Sequence, residues 1–179
     1  MSQATHPVWT VYDRLRTARL NVKYYSRRLQ TVERWNFAIE VVLAITAPSS
    51  AVAGLWFWNS DVGKQIWQDL GIVAALVCVL KPLLNFGKRI KDYESVLSGY
   101  RVLEYDLMEI KSNIEQEQKY DSRQQSEFKK LLQREKALAG KAPETRENRK
   151  VKRICQQEVL RELPPKHFYI PEETNHVRK

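Results

Sequence analysis

The sequence predicts an all-α protein in which an antiparallel helical hairpin spans a membrane and continues into a cytoplasmic coiled coil or helical bundle. Two apolar arms carry this prediction, residues 35–58 and residues 66–87. Each arm has roughly 22 residues, and a helix of that length spans the ~30 Å hydrocarbon core of a bilayer. Tryptophan rings favour the membrane–water interface. All but one of the five tryptophans stand at the arm ends, namely Trp35, Trp56, Trp58 and Trp67.

Charge gives the hairpin an orientation. The net charge is +9, and a mean hydropathy of −0.52 argues against a polytopic transporter. The chain outside the hairpin is highly charged, so we expect most of it to lie in water. Basic residues crowd the segments before the first arm and after the second, whereas the link of residues 59–65 holds a single Lys64 beside Asp61. By the positive-inside rule, both termini face the cytoplasm and the link is external. The alternative is a soluble bundle with two apolar core helices.

Residues 1–34 form the predicted cytoplasmic N-terminal helix. From Val8 onward, apolar side chains recur in steps of three and four, as a coiled-coil seam requires. Neither Gly nor Pro interrupts the chain between Val8 and Pro48, so this helix should run unbroken into the first arm. The seam comprises Val8, Val11, Leu15, Ala18, Val22, Tyr25, Leu29 and Val32.

Three more cytoplasmic helices are predicted beyond the second arm. A long helix occupies residues 88–120, and two further helices, at residues 122–139 and 144–163, fill residues 121–163 before a polar tail of residues 164–179. The seam of the long helix comprises Ile90, Tyr93, Leu97, Tyr100, Glu104, Leu107, Ile110 and Ile114. Inward positions expected on the last two helices are Phe128, Leu131, Leu132, Leu138, Val151, Ile154, Val159, Leu160 and Leu163.

Two charged residues, Glu40 and Lys81, lie inside the apolar arms. An antiparallel register that brings Val8 opposite Ile114 also brings Glu40 opposite Lys81. A charge in hydrocarbon costs at least ~2.5–3.5 kcal/mol, so such residues face a partner or water. Three interpretations follow: an ion pair that fixes the register of one hairpin, a lining of a polar path between several hairpins, or snorkelling to the interface.

Each arm also carries a face of small residues, which permits close helix packing in lipid. These residues are Ala44, Ala47, Ala51 and Gly54 on the first arm, and Gly71, Ala74 and Cys78 on the second. The two faces either meet within one hairpin or contact other subunits of a homo-oligomer. Prolines loosen both arms, and the predicted hinges are Pro48 with Ser49 and Ser50, and Pro82.

A basic cluster precedes and opens the last predicted helix. Its members are Lys141, Arg146, Arg149, Lys150, Lys152 and Arg153. The cluster is either a solvated face or a surface for anionic lipid or phosphate. No aromatic residue is interleaved with these cations, so we expect no nucleic-acid partner.

The sequence contains no catalytic or metal-binding pattern. The histidines lie near the termini, Cys78 and Cys155 lack the spacing of a zinc site, and no phosphate-binding loop is present. We therefore expect a protein that is not an enzyme and that holds neither a metal nor a cofactor.

Two Tyr/Arg-bearing segments flank the apolar arms: Tyr24-Tyr25-Ser26-Arg27-Arg28, and Lys91-Asp92-Tyr93-Glu94 with Tyr100-Arg101-Val102-Leu103-Glu104. With the two arms, this pattern resembles the SLATT family over residues 8–120. These are two-transmembrane-helix effector domains associated with SMODS nucleotidyltransferases and SLOG nucleotide sensors in bacterial conflict systems. The resemblance implies an inner-membrane, pore-forming effector of antiviral defense that oligomerises when a sensor protein or a nucleotide signals infection. A non-conducting membrane-anchored scaffold or signal-coupling subunit, and a constitutive small ion channel, are the alternatives.

Overall fold

The computed structural model describes residues 6–46 and 60–171, and these residues are all-α. Helices α1 (Val8–Thr46), α2 (Asp61–Leu84), α3 (Phe86–Glu117), α4 (Ser122–Ala139) and α5 (Arg149–Glu162) are followed by the 3₁₀ turn Pro165–His167. No strand occurs in either described range. The all-α prediction is confirmed. Several predicted features lie outside the described residues: Ala47, Pro48, Ser49, Ser50, Ala51, Gly54, Trp56, Trp58 and the side chain of Trp67.

Local capping explains where the helices begin. Asp121 accepts a hydrogen bond from the Gln124 backbone N–H, and the Gln124 side chain accepts one from the Asp121 backbone N–H, which together form a capping box. This box starts α4 at the residue that the sequence predicts. Helix α2 starts earlier than the predicted arm, because Ser60 Oγ accepts a hydrogen bond from Gly63 N at 3.1 Å. Helix α1 runs without a break for 39 residues.

The chain divides into two compact units. Unit 1 comprises Met1–Arg28 and Asp92–Lys179, and unit 2 comprises Leu29–Lys91. In unit 1, the predicted seam residues of α1 and α3 are buried, except that Val22 is half-buried. Further residues are buried beside them, namely Tyr12, Tyr24, Val96 and Leu103. The buried surface of these helices is therefore wider than a two-helix seam, because α4 and α5 also pack in this unit.

The predicted inward face of α5 is wrong in two positions. Ile154 and Leu160 are 48% and 50% exposed. The buried residues of this helix are Val159, which the sequence predicts, and Cys155, which it does not. The reason is that α5 turns its carboxylates, as well as its apolar side chains, toward α1, and a pattern based on hydrophobicity does not register those polar contacts.

The segment after α5 packs against the start of α1. Phe168 is buried and stacks on Tyr12 with ring centroids 4.3 Å apart. The Arg16 guanidinium lies 4.8 Å from the centroid of the same ring. The Tyr12 hydroxyl donates a hydrogen bond to the Tyr169 carbonyl oxygen at 2.6 Å. These contacts tie the C-terminal segment to the first turns of the chain.

Unit 2 leaves large apolar side chains exposed along α2. Ile72, Val79 and Leu83 are 64%, 65% and 76% exposed, and Leu76 lies on the same face. Among the described residues, no helix taken alone is long and apolar enough to cross a membrane, whereas Gly71–Leu84 together with Phe86–Glu117, bent by 42°, meets that criterion by length and composition.

Candidate functional site

Helix α5 is joined to α1 by a row of ion pairs that we call the ionic seam: Arg19, Lys23 and Arg27 on α1 with Glu158 and Glu162 on α5. Arg27 Nη2 lies 2.5 Å from Glu158 Oε1. Lys23 Nζ lies 2.7 Å from Glu162 Oε1, and Arg19 Nε lies 3.0 Å from Glu162 Oε2. Arg19 also reaches Glu104 of α3 at 2.9 Å. Within α5, Cys155 and Val159 are buried, and the charge pairs add polar contacts between this helix and α1.

A second polar cluster surrounds Glu144, in the loop between α4 and α5. The Tyr24 hydroxyl donates to Glu144 Oε2 at 2.6 Å, and Arg28 Nε donates to Oε1 at 2.5 Å. The Tyr93 hydroxyl donates to Oε1 as well. The Tyr24 oxygen also accepts a hydrogen bond from Asn148 N at 2.9 Å. We call Glu144, Tyr24, Arg28 and Tyr93 the Glu144 cluster. It fixes the loop to both long helices of unit 1.

Both sets of contacts move the pKa values of their members. Burial alone raises the pKa of the Glu144 carboxyl, but hydrogen bonds from Tyr24, Tyr93 and Arg28 outweigh this effect and hold the pKa below its ordinary value. Burial and the hydrogen bond to Glu144 raise the pKa of Tyr24 and of Tyr93 to about 12. The Glu144 cluster therefore contains one carboxylate and two neutral phenols at neutral pH.

The pKa values of the two carboxyls in the ionic seam are also lowered. Burial opposes the effect at Glu158, but hydrogen bonds from Lys23 and Arg27 lower the pKa of its carboxyl. At Glu162, hydrogen bonds from Lys23 and then Arg19 lower the pKa against the opposing effect of burial. The ionic seam is therefore held by ionised carboxylates at neutral pH.

In unit 2, the structure brings Glu40 and Lys81 together. Lys81 Nζ lies 2.7 Å from Glu40 Oε1, which is the contact that the antiparallel register predicts. Both side chains are partly exposed, at 50% for Glu40 and 38% for Lys81. A shallow cavity of about 310 Å³ lies beside the pair and is lined by Asn36, Lys81, Pro82, Asn85, Phe86 and Gly87.

The small residues of α2 differ in exposure. Ala74 is half-buried, whereas Gly71 and Cys78 are exposed, and a methyl group built on Gly71 would meet no atom within 4 Å. Ala44 on α1 is also exposed. Within the described part of unit 2, Gly71 and Cys78 are therefore accessible to another molecule.

The predicted hinge Pro82 lies inside α2, and the helix continues past it to Leu84. The break between α2 and α3 lies at Asn85, which has φ 42° and ψ 48°. Asparagine tolerates this left-handed conformation better than most residues. Pro82 removes one backbone hydrogen bond just before the break. The proline and the left-handed asparagine therefore weaken the same turn.

The predicted basic cluster is exposed except at one position. Lys152 is half-buried, and its Nζ lies 2.5 Å from Glu147 Oε2. The remaining members, Lys141, Arg146, Arg149, Lys150 and Arg153, are exposed.

Several interacting residues escape the sequence patterns. Glu144, Glu158 and Glu162 are charged residues, and the hydrophobic pattern predicts that such residues face solvent. Basic residues four apart on α1 and acidic residues four apart on α5 could have indicated the pairing of Glu158 and Glu162. Glu144 was predicted to be the first residue of the last helix, but that helix begins at Arg149, and no local signal marks Glu144 as a loop residue with partners. Phe168 follows Pro164-Pro165 in a segment predicted to be a polar tail, where the short run Phe168-Tyr169-Ile170 was the available signal.

Comparisons of this chain with protein-family models, with curated proteins and with solved structures give no match.

Proposed function

We propose that this chain is a helical effector of the bacterial inner membrane, with unit 2 inserted as a hairpin and unit 1 in the cytoplasm with both termini. The exposed apolar face of α2 carries the proposal. Large side chains on this face, including Val79 and Leu83, are more than half exposed. Soluble monomers rarely expose a large contiguous apolar patch, whereas lipid tails cover one favourably.

The effector action is assembly of hairpins into a homo-oligomer that permeabilises the membrane. Exposed Gly71 and Cys78 support it, because small residues let membrane helices approach closely. The resemblance to the SLATT family supports activation in antiviral defense by a cytoplasmic sensor protein or a nucleotide signal. The proposal involves membrane lipids and further copies of the chain, and it includes no enzymatic step, cofactor or nucleic acid.

A second candidate is a non-conducting membrane-anchored scaffold or signal-coupling subunit. The Glu40–Lys81 contact favours it, because both charges find their partner within one chain. Charges that are paired in this way fix the register of one hairpin and are not free to line a polar path. The two candidates therefore differ in whether this pair separates on assembly.

Lysine substitutions on α2 test membrane insertion. Leu76→Lys with Leu83→Lys places two charges on the exposed apolar face, and each should cost ~2.5–3.5 kcal/mol in hydrocarbon. We expect the double variant to leave the membrane fraction and to fail to float with liposomes. The matched control, Tyr105→Lys with Met108→Lys, alters side chains of unit 1 that are 71% and 48% exposed, and it should stay membrane-bound. Membrane binding of both variants would refute insertion through α2.

A leak assay separates the two candidates. The full chain is reconstituted in liposomes at increasing protein density, and release of an entrapped dye is measured. If the chain is a permeabilising effector, dye release should rise steeply with protein density. Release should fall in Gly71→Leu, because the larger side chain prevents close approach of another helix to this exposed position. Gly87→Leu is the matched control, since Gly87 also has no atom within 4 Å of an added methyl group. Absence of release at every density would favour the scaffold.

Cysteine labelling tests the topology. Val62 is 66% exposed near the start of α2, at the end predicted to be external. In intact spheroplasts, a membrane-impermeant maleimide should label Val62→Cys, whereas Gln133→Cys on α4 should react only after lysis. The reverse pattern would overturn the proposed orientation.

A further inference from the structure

The outer face of α5 and the loop before it concentrate positive charge that the described chain does not neutralise. We call Lys141, Arg146, Arg149, Lys150 and Arg153 the basic face. All five side chains are exposed. None of them forms an ion pair with any residue in 6–46 or 60–171.

The carboxylates of the same segment are all engaged elsewhere. Glu144 pairs with Arg28, and Glu147 pairs with Lys152. The two remaining carboxylates, Glu158 and Glu162 on α5, belong to the ionic seam and face α1. By holding these acidic groups, α1 leaves the opposite side of α5 with uncompensated positive charge.

The position of these cations on the helix is unfavourable for the helix itself. Arg149 and Lys150 occupy the first turn of α5, which has no acidic residue. The N-terminus of a helix carries partial positive charge, and acidic residues are the stabilising choice there. Residues that lower the stability of their own helix, as these two cations do, are characteristic of a functional surface.

The basic face includes a loop that is fixed to residues at which unit 1 ends along the chain. Its loop contacts Tyr24, Arg28 and Tyr93 through Glu144. Arg28 is the last residue of unit 1 on α1, and Tyr93 lies next to Asp92, the first on α3.

We propose that the basic face binds the headgroups of anionic phospholipids in the cytoplasmic leaflet. This inference rests on the proposed membrane insertion, in which the predicted lipid boundary at Trp35 comes soon after Arg28 along the chain. Ile154, which is 48% exposed one turn from Lys150, supplies an apolar contact at the headgroup boundary. Each basic residue near an anionic leaflet strengthens association about fivefold. Nucleic acid fits less well, because the basic face has no aromatic side chain on which bases stack.

A fluorophore on α5 tests the proposal in the full chain. Gln157 is exposed on the face of Lys150 and Arg153, and Cys155 is buried, so Gln157→Cys in a Cys78→Ser background accepts the label selectively. The protein is reconstituted in phosphatidylcholine vesicles or in vesicles with about a third phosphatidylglycerol. Quenching by neutral acrylamide measures exposure of the label, and flotation measures membrane insertion separately.

We expect several-fold weaker quenching in the anionic vesicles, restored to the neutral-vesicle value by ~1 M salt. Charge reversal at Arg149, Lys150 and Arg153 should abolish the protection, since three cations together contribute on the order of a hundredfold. The control reverses three other exposed lysines on α4, Lys129, Lys130 and Lys136, with the same change in net charge, and it should retain protection.

Three results would overturn the proposal in vesicles that float with the protein. One is equal quenching with both lipid compositions, and another is equal loss of protection in the α4 control. The third is protection in neutral vesicles on addition of an RNA oligomer or an acidic polypeptide, which would assign the basic face to that class of partner. Failure to float in every lipid composition would instead refute the proposed function on which the inference rests.

Discussion

Replacement of Glu144 by alanine should release the loop between α4 and α5. The carboxylate accepts hydrogen bonds from Tyr24, Arg28 and Tyr93. A hydrogen bond to a charged group contributes about 1.5–3 kcal/mol. The Glu144 and Arg28 side chains are only 10% and 21% exposed, so little solvent replaces the lost contacts. Because the three bonds share one carboxylate and the loop relaxes, we expect a loss of about 2–4 kcal/mol.

Glu147→Ala is the matched control, because it removes the same side chain from the same loop. Its partner is Lys152, and the two side chains are 57% and 41% exposed. A surface ion pair of this kind contributes ~0–1 kcal/mol.

The assay is amide hydrogen exchange of residues 140–152 in the detergent-solubilised protein, together with its thermal midpoint. Glu144→Ala should raise exchange in the loop and in the first turn of α5, and Glu147→Ala should change neither by much. A double-mutant cycle with Tyr93→Phe should give a coupling energy of about 1 kcal/mol or more. If the two alanine variants agree within ~0.5 kcal/mol, the assigned role of the Glu144 cluster is wrong.

The remaining predictions concern pH, packing and the C-terminal segment. The carboxyls of the ionic seam and the Glu144 cluster have lowered pKa values in the fold, so their contribution is complete above their ordinary value near 4.5 and is lost as pH falls below it. Urea unfolding should show this decline between pH ~5 and ~3, and a triple Glu→Gln variant should show a flatter profile. Gly99→Ala should destabilise by about 1 kcal/mol, because an added Cβ lies 2.3 Å from Leu138 Cδ2 and the overpacking exceeds the helix-propensity gain; a higher midpoint in a thermal melt would contradict this. Phe168→Ala should weaken docking of the segment after α5 by about 3 kcal/mol. The released segment should then be cleaved faster by trypsin after Lys166, and unchanged cleavage would show that Tyr12 does not anchor this ring.

Hydrophobic periodicity was sufficient to predict the helices of unit 1 and most of their buried residues. The α1 and α3 seams have long patterns of aliphatic and aromatic side chains, for which helical spacing is a reliable guide to burial. The bounds of α4 could also be predicted, since Asp121 is a good capping residue and Gly140 ends the pattern.

The attachment of α5 could not be predicted in the same way. Its contacts are made by Glu158 and Glu162, and an apolar pattern assigns such residues to solvent. The choice of Ile154 as a core residue failed for that reason. The Glu144 cluster was also missed, because its carboxylate sits in an irregular loop and meets residues distant in sequence. The contact between Glu40 and Lys81 was predictable, because charges in an apolar arm have few available partners.

The ionic seam has an evolutionary consequence. A sign change at Arg27 alone would bring two carboxylates together, whereas simultaneous inversion at Arg27 and Glu158 would preserve their attraction. Relatives of this chain should therefore show compensated charge exchange between α1 and the inner side of α5, a covariation that marks spatial contact. At Gln157, which is exposed on α5, substitutions should accumulate independently of α1.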